Sequence, residues 1–160
     1  MSWSIASLIT LLMLGGTFAE TPKVISICDV LSNPKRYDRQ MITVHALLVS
    51  SRDDGDFDEL APLESDRCYR PRRQDNLRVG LGGGGRVIEP PESLKPDWAS
   101  YDRAEETVAK LREKDPTLKR LLVTVEGMIF DGGPEPSGVT RHPWHPAEML
   151  ISTWKDIRQP

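Results

Sequence analysis

Two segments with apolar residues at alternating positions constrain the fold of this chain more than any other feature. Apolar side chains occupy every second position within residues 41–51 and again within residues 119–130. The series are Ile42, Val44, Ala46 and Leu48 in the first segment and Leu121, Val123, Val125 and Ile129 in the second. Because successive side chains of a strand point to opposite faces, each segment predicts a strand with one face in a hydrophobic core.

Weaker patterns predict the remaining elements. A short strand is expected within residues 57–69, where Pro62 limits it, and others at residues 77–81 and 147–154. Residues 100–114 carry an apolar stripe at helical spacing and predict the longest helix. Residues 24–31 predict a short helix at the start of the domain, ended by Asn33-Pro34.

The order of these elements indicates a fold class. Three strands, a helix and two further strands make up the five-stranded barrel of the OB-fold, with the helix between the third and fourth strands. The sequence therefore predicts a mainly β domain with some α-helix: an OB-fold-like barrel of order β-β-β-α-β-β, preceded by a short N-terminal helix. Residues 42–46 and 123–127 both end in a small residue, which favours the sharp bending that a small barrel requires.

Residues 37–46, Tyr-Asp-Arg-Gln-Met-Ile-Thr-Val-His-Ala, resemble a known motif. It is the Tyr-Asp/Asn-Gly-Lys-x-Val-x-Val-x-Gly opening of OB-fold-like domains in exported bacterial proteins. Arg39 and Ala46 stand where that motif has glycine. Residues 28–34 and 146–157 are similar to the lead-in and last strand of small exported bacterial proteins of this kind, which have no assigned function. The resemblance implies a fold and an exported location, and it brings no catalytic residues.

The N-terminus predicts export. Residues 1–19 contain no charged side chain, and residues 8–14 form an apolar run too short to span a bilayer. Thr17 and Ala19 fit the −3 and −1 positions of a signal-peptidase site, so residues 1–19 are interpreted as a signal peptide cleaved near Ala19. Residues 20–160 then form one domain in the periplasm or outside the cell. Because no Lys or Arg precedes the apolar run, an uncleaved anchor is the alternative; no later segment has the ~20 apolar residues of a transmembrane helix.

The cysteine content and the net charge indicate which classes of exported protein this chain can belong to. The chain has two cysteines, Cys28 and Cys68, and an even number in an exported protein predicts a disulfide, with two buried thiols as the alternative. The formal net charge of −3 argues against non-specific nucleic-acid binding, which needs a large basic surface.

One basic cluster is a candidate ligand-binding site. It consists of Arg67, Arg70, Arg72 and Arg73. Such a cluster is suited to a phosphate, a sulfate or an acidic sugar. It lies near the second and third predicted strands, the face that binds oligomers in OB-folds. Trp144 and His145 are candidate additions to this surface. The alternative is that the arginines only balance the acidic run at residues 53–59.

A second cluster offers the ligand types of a divalent metal, in His142, His145 and Glu148. Pro143 and Pro146 prevent the helix that would place both histidines on one face. No cofactor is predicted, since the glycines of residues 80–85 precede a Pro-rich segment and not a helix. The leading hypothesis is an exported, non-enzymatic module that binds a protein or an anionic ligand in the cell envelope. A metal-dependent enzyme and a structural envelope component are the alternatives.

Overall fold

The chain forms a single sheet with three helices in a computed structural model, which describes residues 24–50, 57–70, 78–81, 90–131 and 146–160. The strands are β1 Val24–Ser26, β2 Met41–Val49, β3 Glu59–Ala61, β4 Val79–Leu81, β5 Arg120–Asp131 and β6 Ala147–Arg158. The helices are α1 Ile27–Ser32, α2 Pro34–Tyr37 and α3 Trp98–Lys114. No helix in these ranges is long and apolar enough to cross a membrane.

Five of the strands close into a barrel. The sheet runs β1-β2-β3-β4-β6-β5, and β5 pairs back onto β2. β4 and β6 are parallel, and the other pairs around the barrel are antiparallel. β1 is the additional strand and pairs in parallel with β2, beside the stretch of β2 that pairs with β3. The prediction of a mainly β domain with a five-stranded barrel is confirmed.

The predicted apolar residues of β2 and β5 lie inside the barrel. Ile42, Val44 and Leu48 of β2 are buried in one cluster with Leu121 and Val125 of β5. α3 packs its predicted stripe against this cluster, in which Tyr101, Val108 and Leu111 are partly buried. The Asp97 side chain caps the helix by accepting a hydrogen bond from the Ser100 backbone N–H (3.2 Å). Burial of these apolar side chains thus stabilises both the pairing of β2 with β5 and the packing of α3 on the barrel.

The N-terminal segment differs from the predicted helix over residues 24–31. Residues 24–26 form β1, and α1 begins only at Ile27. Ser26 caps α1, its side chain accepting a hydrogen bond from the Cys28 backbone N–H (3.2 Å). β1 satisfies backbone groups along residues 43–45 of β2, which β3 does not reach. The apolar spacing of this short segment fits a helix and gives no sign that its first three residues pair with the edge of β2.

The turn before β2 requires an unusual backbone conformation. Arg39 has φ 56°, in the left-handed region that favours glycine, the residue that the resembled motif has here. The Arg39 backbone N–H donates to the Ile129 carbonyl (2.7 Å), and the Ile129 N–H donates to the Gln40 carbonyl (3.2 Å). These bonds hold the turn against β5.

Gly127 marks the sharpest constraint on backbone approach. β5 and β6 shift register between Glu126 and Gly127, as expected where a barrel strand bends. A Cβ atom on Gly127 would lie 2.4 Å from the Leu150 carbonyl oxygen and 2.9 Å from the Ile151 Cα.

We expect Gly127→Ala to lower the free energy of unfolding. The backbone clash costs about 1–3 kcal/mol or more. This exceeds the ~0.4–1 kcal/mol that alanine contributes by restricting the unfolded chain. Urea unfolding measures the difference, and a variant as stable as the parent would contradict the close β5–β6 approach.

Candidate functional site

A disulfide fixes the segment that carries the predicted arginine cluster. Cys28 of α1 is bonded to Cys68, with 5.6 Å between the Cα atoms, and the Cys68 backbone N–H lies 3.2 Å from the Cys28 sulfur. The predicted disulfide is confirmed. We call residues 63–73 the arginine loop, which the structure describes as far as Arg70. The bond joins this loop, which follows β3, to α1, which follows β1.

The described part of the arginine loop is also ordered by its own hydrogen bonds. The Leu63 backbone N–H donates to the Asp66 carboxylate (2.8 Å), and the Asp66 N–H donates to the Leu63 carbonyl (2.9 Å). The Tyr69 N–H donates to the Asp66 carbonyl (3.0 Å). Asp66 thus organises two successive turns, the usual role of Asp in a loop.

The two described arginines of the cluster face water. Arg67 forms an ion pair with Asp29 of α1, and the two side chains are 74% and 42% exposed. Such an exposed pair contributes at most ~1 kcal/mol, so an incoming anion can replace the carboxylate at small cost. Arg70 is exposed, and its guanidinium donates to the Tyr69 carbonyl (3.4 Å). Arg72, Arg73, Trp144 and His145 lie outside the described residues.

The alternative hypothesis is that the arginines only balance the charge of the acidic run at residues 53–59. Arg67 does have an acidic partner, but the partner is Asp29 and not a residue of the acidic run. Within that run, residues 53–56 lie outside the described residues.

A buried ion pair lies between the two strands next to the arginine loop. Glu59 of β3 pairs with Arg78, which precedes β4, and the side chains are 4% and 12% exposed. Across the sheet, Glu59 is opposite Gly80, and Gly80 is opposite Glu148 of β6. The residues next to them in each strand, Leu60, Val79 and Ala147, belong to the core. Because side chains alternate between the two faces of a strand, Glu59 and Glu148 lie on the outer face of the barrel.

Sequence reasoning missed this ion pair. It placed Glu59 in an acidic run and Arg78 in a strand, without joining them. The alternation of Arg78 with the apolar Val79 indicates that Arg78 points away from the core. Which residue Arg78 pairs with depends on the register between β3 and β4, which the sequence does not show.

The metal hypothesis rests on residues that are mostly outside the described ranges. His142 and His145 are among them, and Glu148 is a half-buried residue of β6. Within the described ranges, no three His, Cys, Asp or Glu side chains are grouped to hold a metal ion.

The remaining histidine, His45, lies in another part of the barrel. It is opposite Thr124 on β5, and its Nδ1 lies 2.7 Å from the Thr124 hydroxyl. Glu148 is opposite Phe130, six residues further along β5, which corresponds to roughly 20 Å. His45 therefore does not share a site with Glu148.

The arginine loop and the outer face of β3 and β4 are thus adjacent in the chain, and the disulfide fixes the loop. No family model matches this chain, and no curated protein matches it.

Proposed function

We propose that this chain is an exported, non-enzymatic OB-fold-like module that binds an anionic ligand through the arginine loop and the neighbouring face of β3 and β4. The order of the barrel strands supports the fold. The first barrel strand, β2, pairs with both β3 and β5, the third and fifth barrel strands are parallel, and α3 lies between the third and fourth. In OB-folds, strands two and three and their flanking loops bind oligomeric ligands, and these correspond to β3 and β4.

The disulfide supports the exported location. Disulfides persist in the periplasm and outside the cell, whereas thiol reductants remove most of them in the cytoplasm. The bond between Cys28 and Cys68 agrees in this respect with the signal-peptide pattern of residues 1–19.

The binding role rests mainly on the bracing of the arginine loop. Cys68 is covalently attached to α1, while Arg67 and Arg70 on either side of it remain exposed. A loop that is already ordered loses less conformational entropy when a ligand binds. Guanidinium groups bind phosphate, sulfate and carboxylate oxygens strongly and with defined geometry.

Binding is favoured over catalysis by the chemistry of this loop. Arginine stays protonated at all physiological pH values, so it holds an anion without exchanging a proton with it. Trp144 and His145 precede β6, whose first residues pair with β4, and we include them in the proposed surface.

Heparin chromatography tests the proposal, since heparin presents both sulfates and acidic sugars. The variant Arg70→Ala/Arg72→Ala/Arg73→Ala removes three positive charges from the loop. We expect it to elute at clearly lower salt and to bind a heparin oligosaccharide at least tenfold more weakly, at about 0.5 kcal/mol or more for each arginine lost.

The matched control removes three positive charges from the exposed side of α3, in Arg103→Ala/Lys110→Ala/Lys114→Ala. It is expected to keep near-parental retention. Equal losses in the two variants would attribute binding to net charge alone. A parent protein that passes through the column at low salt would refute anion binding and leave the structural role as the better hypothesis.

A further inference from the structure

An apolar cleft lies between α3 and the barrel wall, away from the arginine loop. We call it the α3 cleft; it has a volume of about 340 Å³. Its aliphatic walls come from Leu48, Val108 and Ile157, and its aromatic walls from Phe57, Tyr101 and Trp154. Small-molecule sites are typically concave, largely apolar and ~300–1,000 Å³ in volume, so this cleft suits a ligand of one or two rings.

The aromatic walls are held in place without a ligand. The rings of Tyr101 and Trp154 are perpendicular, with 6.2 Å between their centroids. The Tyr101 hydroxyl donates to the Ile151 carbonyl (2.5 Å), and the Trp154 backbone N–H donates to the Ser100 hydroxyl (3.0 Å). Burial raises the pKa of the Tyr101 hydroxyl, which therefore remains a neutral donor. A planar ligand would therefore contact aromatic side chains whose positions need to change little on binding.

A further ring extends the aromatic surface at the start of α3. Trp98 lies 5.6 Å from Tyr101 between ring centroids and is 68% exposed. Large apolar side chains that remain this exposed frequently mark binding sites when they adjoin other apolar surface.

Two residues of opposite charge, Arg112 and Glu105, line different parts of the cleft. Arg112 of α3 lies over the Phe57 ring, with 4.9 Å from the guanidinium carbon to the ring centroid. Glu105 lines the cleft seven residues earlier on the same helix, about 10 Å away along the helix axis. One side of the cleft is therefore cationic and the other anionic.

We propose that the α3 cleft binds a small molecule that has a planar aromatic ring system and one anionic group, with the anion placed at Arg112. The ring system packs against Tyr101 and Trp154 in edge-to-face or stacked contacts. Arg112 can accept this ligand beside the partners it already has, because a guanidinium carries five N–H donors. The site uses α3, β2, β6 and Phe57, and none of the described arginine-loop residues lines it, so it can be tested separately from the proposed arginine-loop function.

Two fluorescent probes test the inference on the whole protein. Anilinonaphthalene sulfonate has an aromatic ring system with one anion, and N-phenylnaphthylamine has the same rings without the charge. We expect saturable binding of the sulfonate to a single site on the folded protein, at least fivefold tighter than binding of the neutral probe. Because the sulfonate also binds partly unfolded proteins, each variant is first checked for cooperative unfolding.

Three variants separate the contributions. Ala109→Trp fills the cleft from α3 and is expected to abolish binding of both probes. Arg112→Gln is expected to weaken the sulfonate at least fivefold and to leave the neutral probe unchanged. Lys110→Gln, on an exposed position of the same helix, is the matched control and should change neither.

Each contrary result overturns a defined part. Undiminished binding to a folded Ala109→Trp variant, or the lack of saturable binding to the parent, refutes the site. Equal effects of Arg112→Gln on the two probes refute the anionic specificity. Should Ala109→Trp fail to fold, the Arg112→Gln and Lys110→Gln pair still decides, because a loss of sulfonate binding confined to Arg112→Gln supports the cleft and any other pattern refutes it.

Discussion

Arg78→Met is expected to lower the free energy of unfolding by about 3–5 kcal/mol, the typical cost of removing one partner of a buried ion pair. The reason is the position of Glu59, whose side chain is only 4% exposed and which loses the Arg78 cation as an ion-pair partner. A carboxylate held away from water without that cation must either bear a desolvation cost or take up a proton. Such a loss is a large fraction of the ~5–15 kcal/mol that stabilises an ordinary domain.

The double variant Glu59→Met/Arg78→Met distinguishes this cause from lost packing. Replacing both charges by apolar side chains of similar volume is commonly neutral or stabilising, because no buried charge remains. We therefore expect the double variant to recover most of the loss in urea unfolding. A cost below ~1 kcal/mol for Arg78→Met alone would show that Glu59 is adequately solvated or paired without Arg78, and would contradict the prediction.

The ion pair sits where the sheet has least other support. β3 and β4 have three residues each, and only two residue pairs join them in the ladder. Charge complementarity between Glu59 and Arg78 adds a directional contact at this short seam. The arginine loop follows β3 directly, so the seam also affects how firmly the proposed binding surface is held.

Local sequence was a good guide to those elements whose burial follows a simple period. β5 alternates between buried and half-buried residues along most of its length, and β2 buries the predicted face in the barrel but also buries Leu47 and Val49 on its other face. The stripe of α3 likewise appears at helical spacing, and the helix begins at Trp98, two residues before the predicted start, because Asp97 caps it.

Elements that depend on a distant partner were less predictable. β6 extends to Arg158, beyond the expected end at Trp154, because β5 is long enough to pair with Ile157 and Arg158. The two register shifts within this pair also disturb the alternation that would mark a continuous strand. β1 is a strand only because β2 offers it an edge.

The same distinction applies to the candidate sites. The disulfide was predictable from the count of cysteines together with the predicted export, since two cysteines permit one intramolecular pairing. The Glu59–Arg78 pair and the α3 cleft depend on strand register and on how α3 sits against Trp154 and Leu48. Neither leaves a local pattern, so both become visible only in three dimensions.

Loss of the disulfide is the other change with a large expected effect. The bond closes a loop with a sequence separation of 40, for which the loop-entropy relation gives about 3–4 kcal/mol. We expect the Cys28→Ala/Cys68→Ala variant to lose at least this amount in urea unfolding. Cys28 is buried, so the alanine variant should also lose packing that the reduced parent, which retains both sulfur atoms, keeps.

Reductant supplies the internal control for this prediction. The chain has only these two cysteines, so a thiol reductant should destabilise the parent and leave the alanine variant unchanged. A reduced parent as stable as the oxidised one would show that other contacts already restrict the chain between α1 and the arginine loop.

The disulfide also links stability to the proposed function. Without it, the arginine loop keeps the turns organised by Asp66 but is no longer covalently attached to α1. Ordering the loop then opposes ligand binding, and we expect the reduced protein to elute from heparin at lower salt while the Arg67 and Arg70 side chains are unchanged. If reduction lowers stability but not heparin retention, the brace serves the barrel alone and the arginine loop is not preorganised by it.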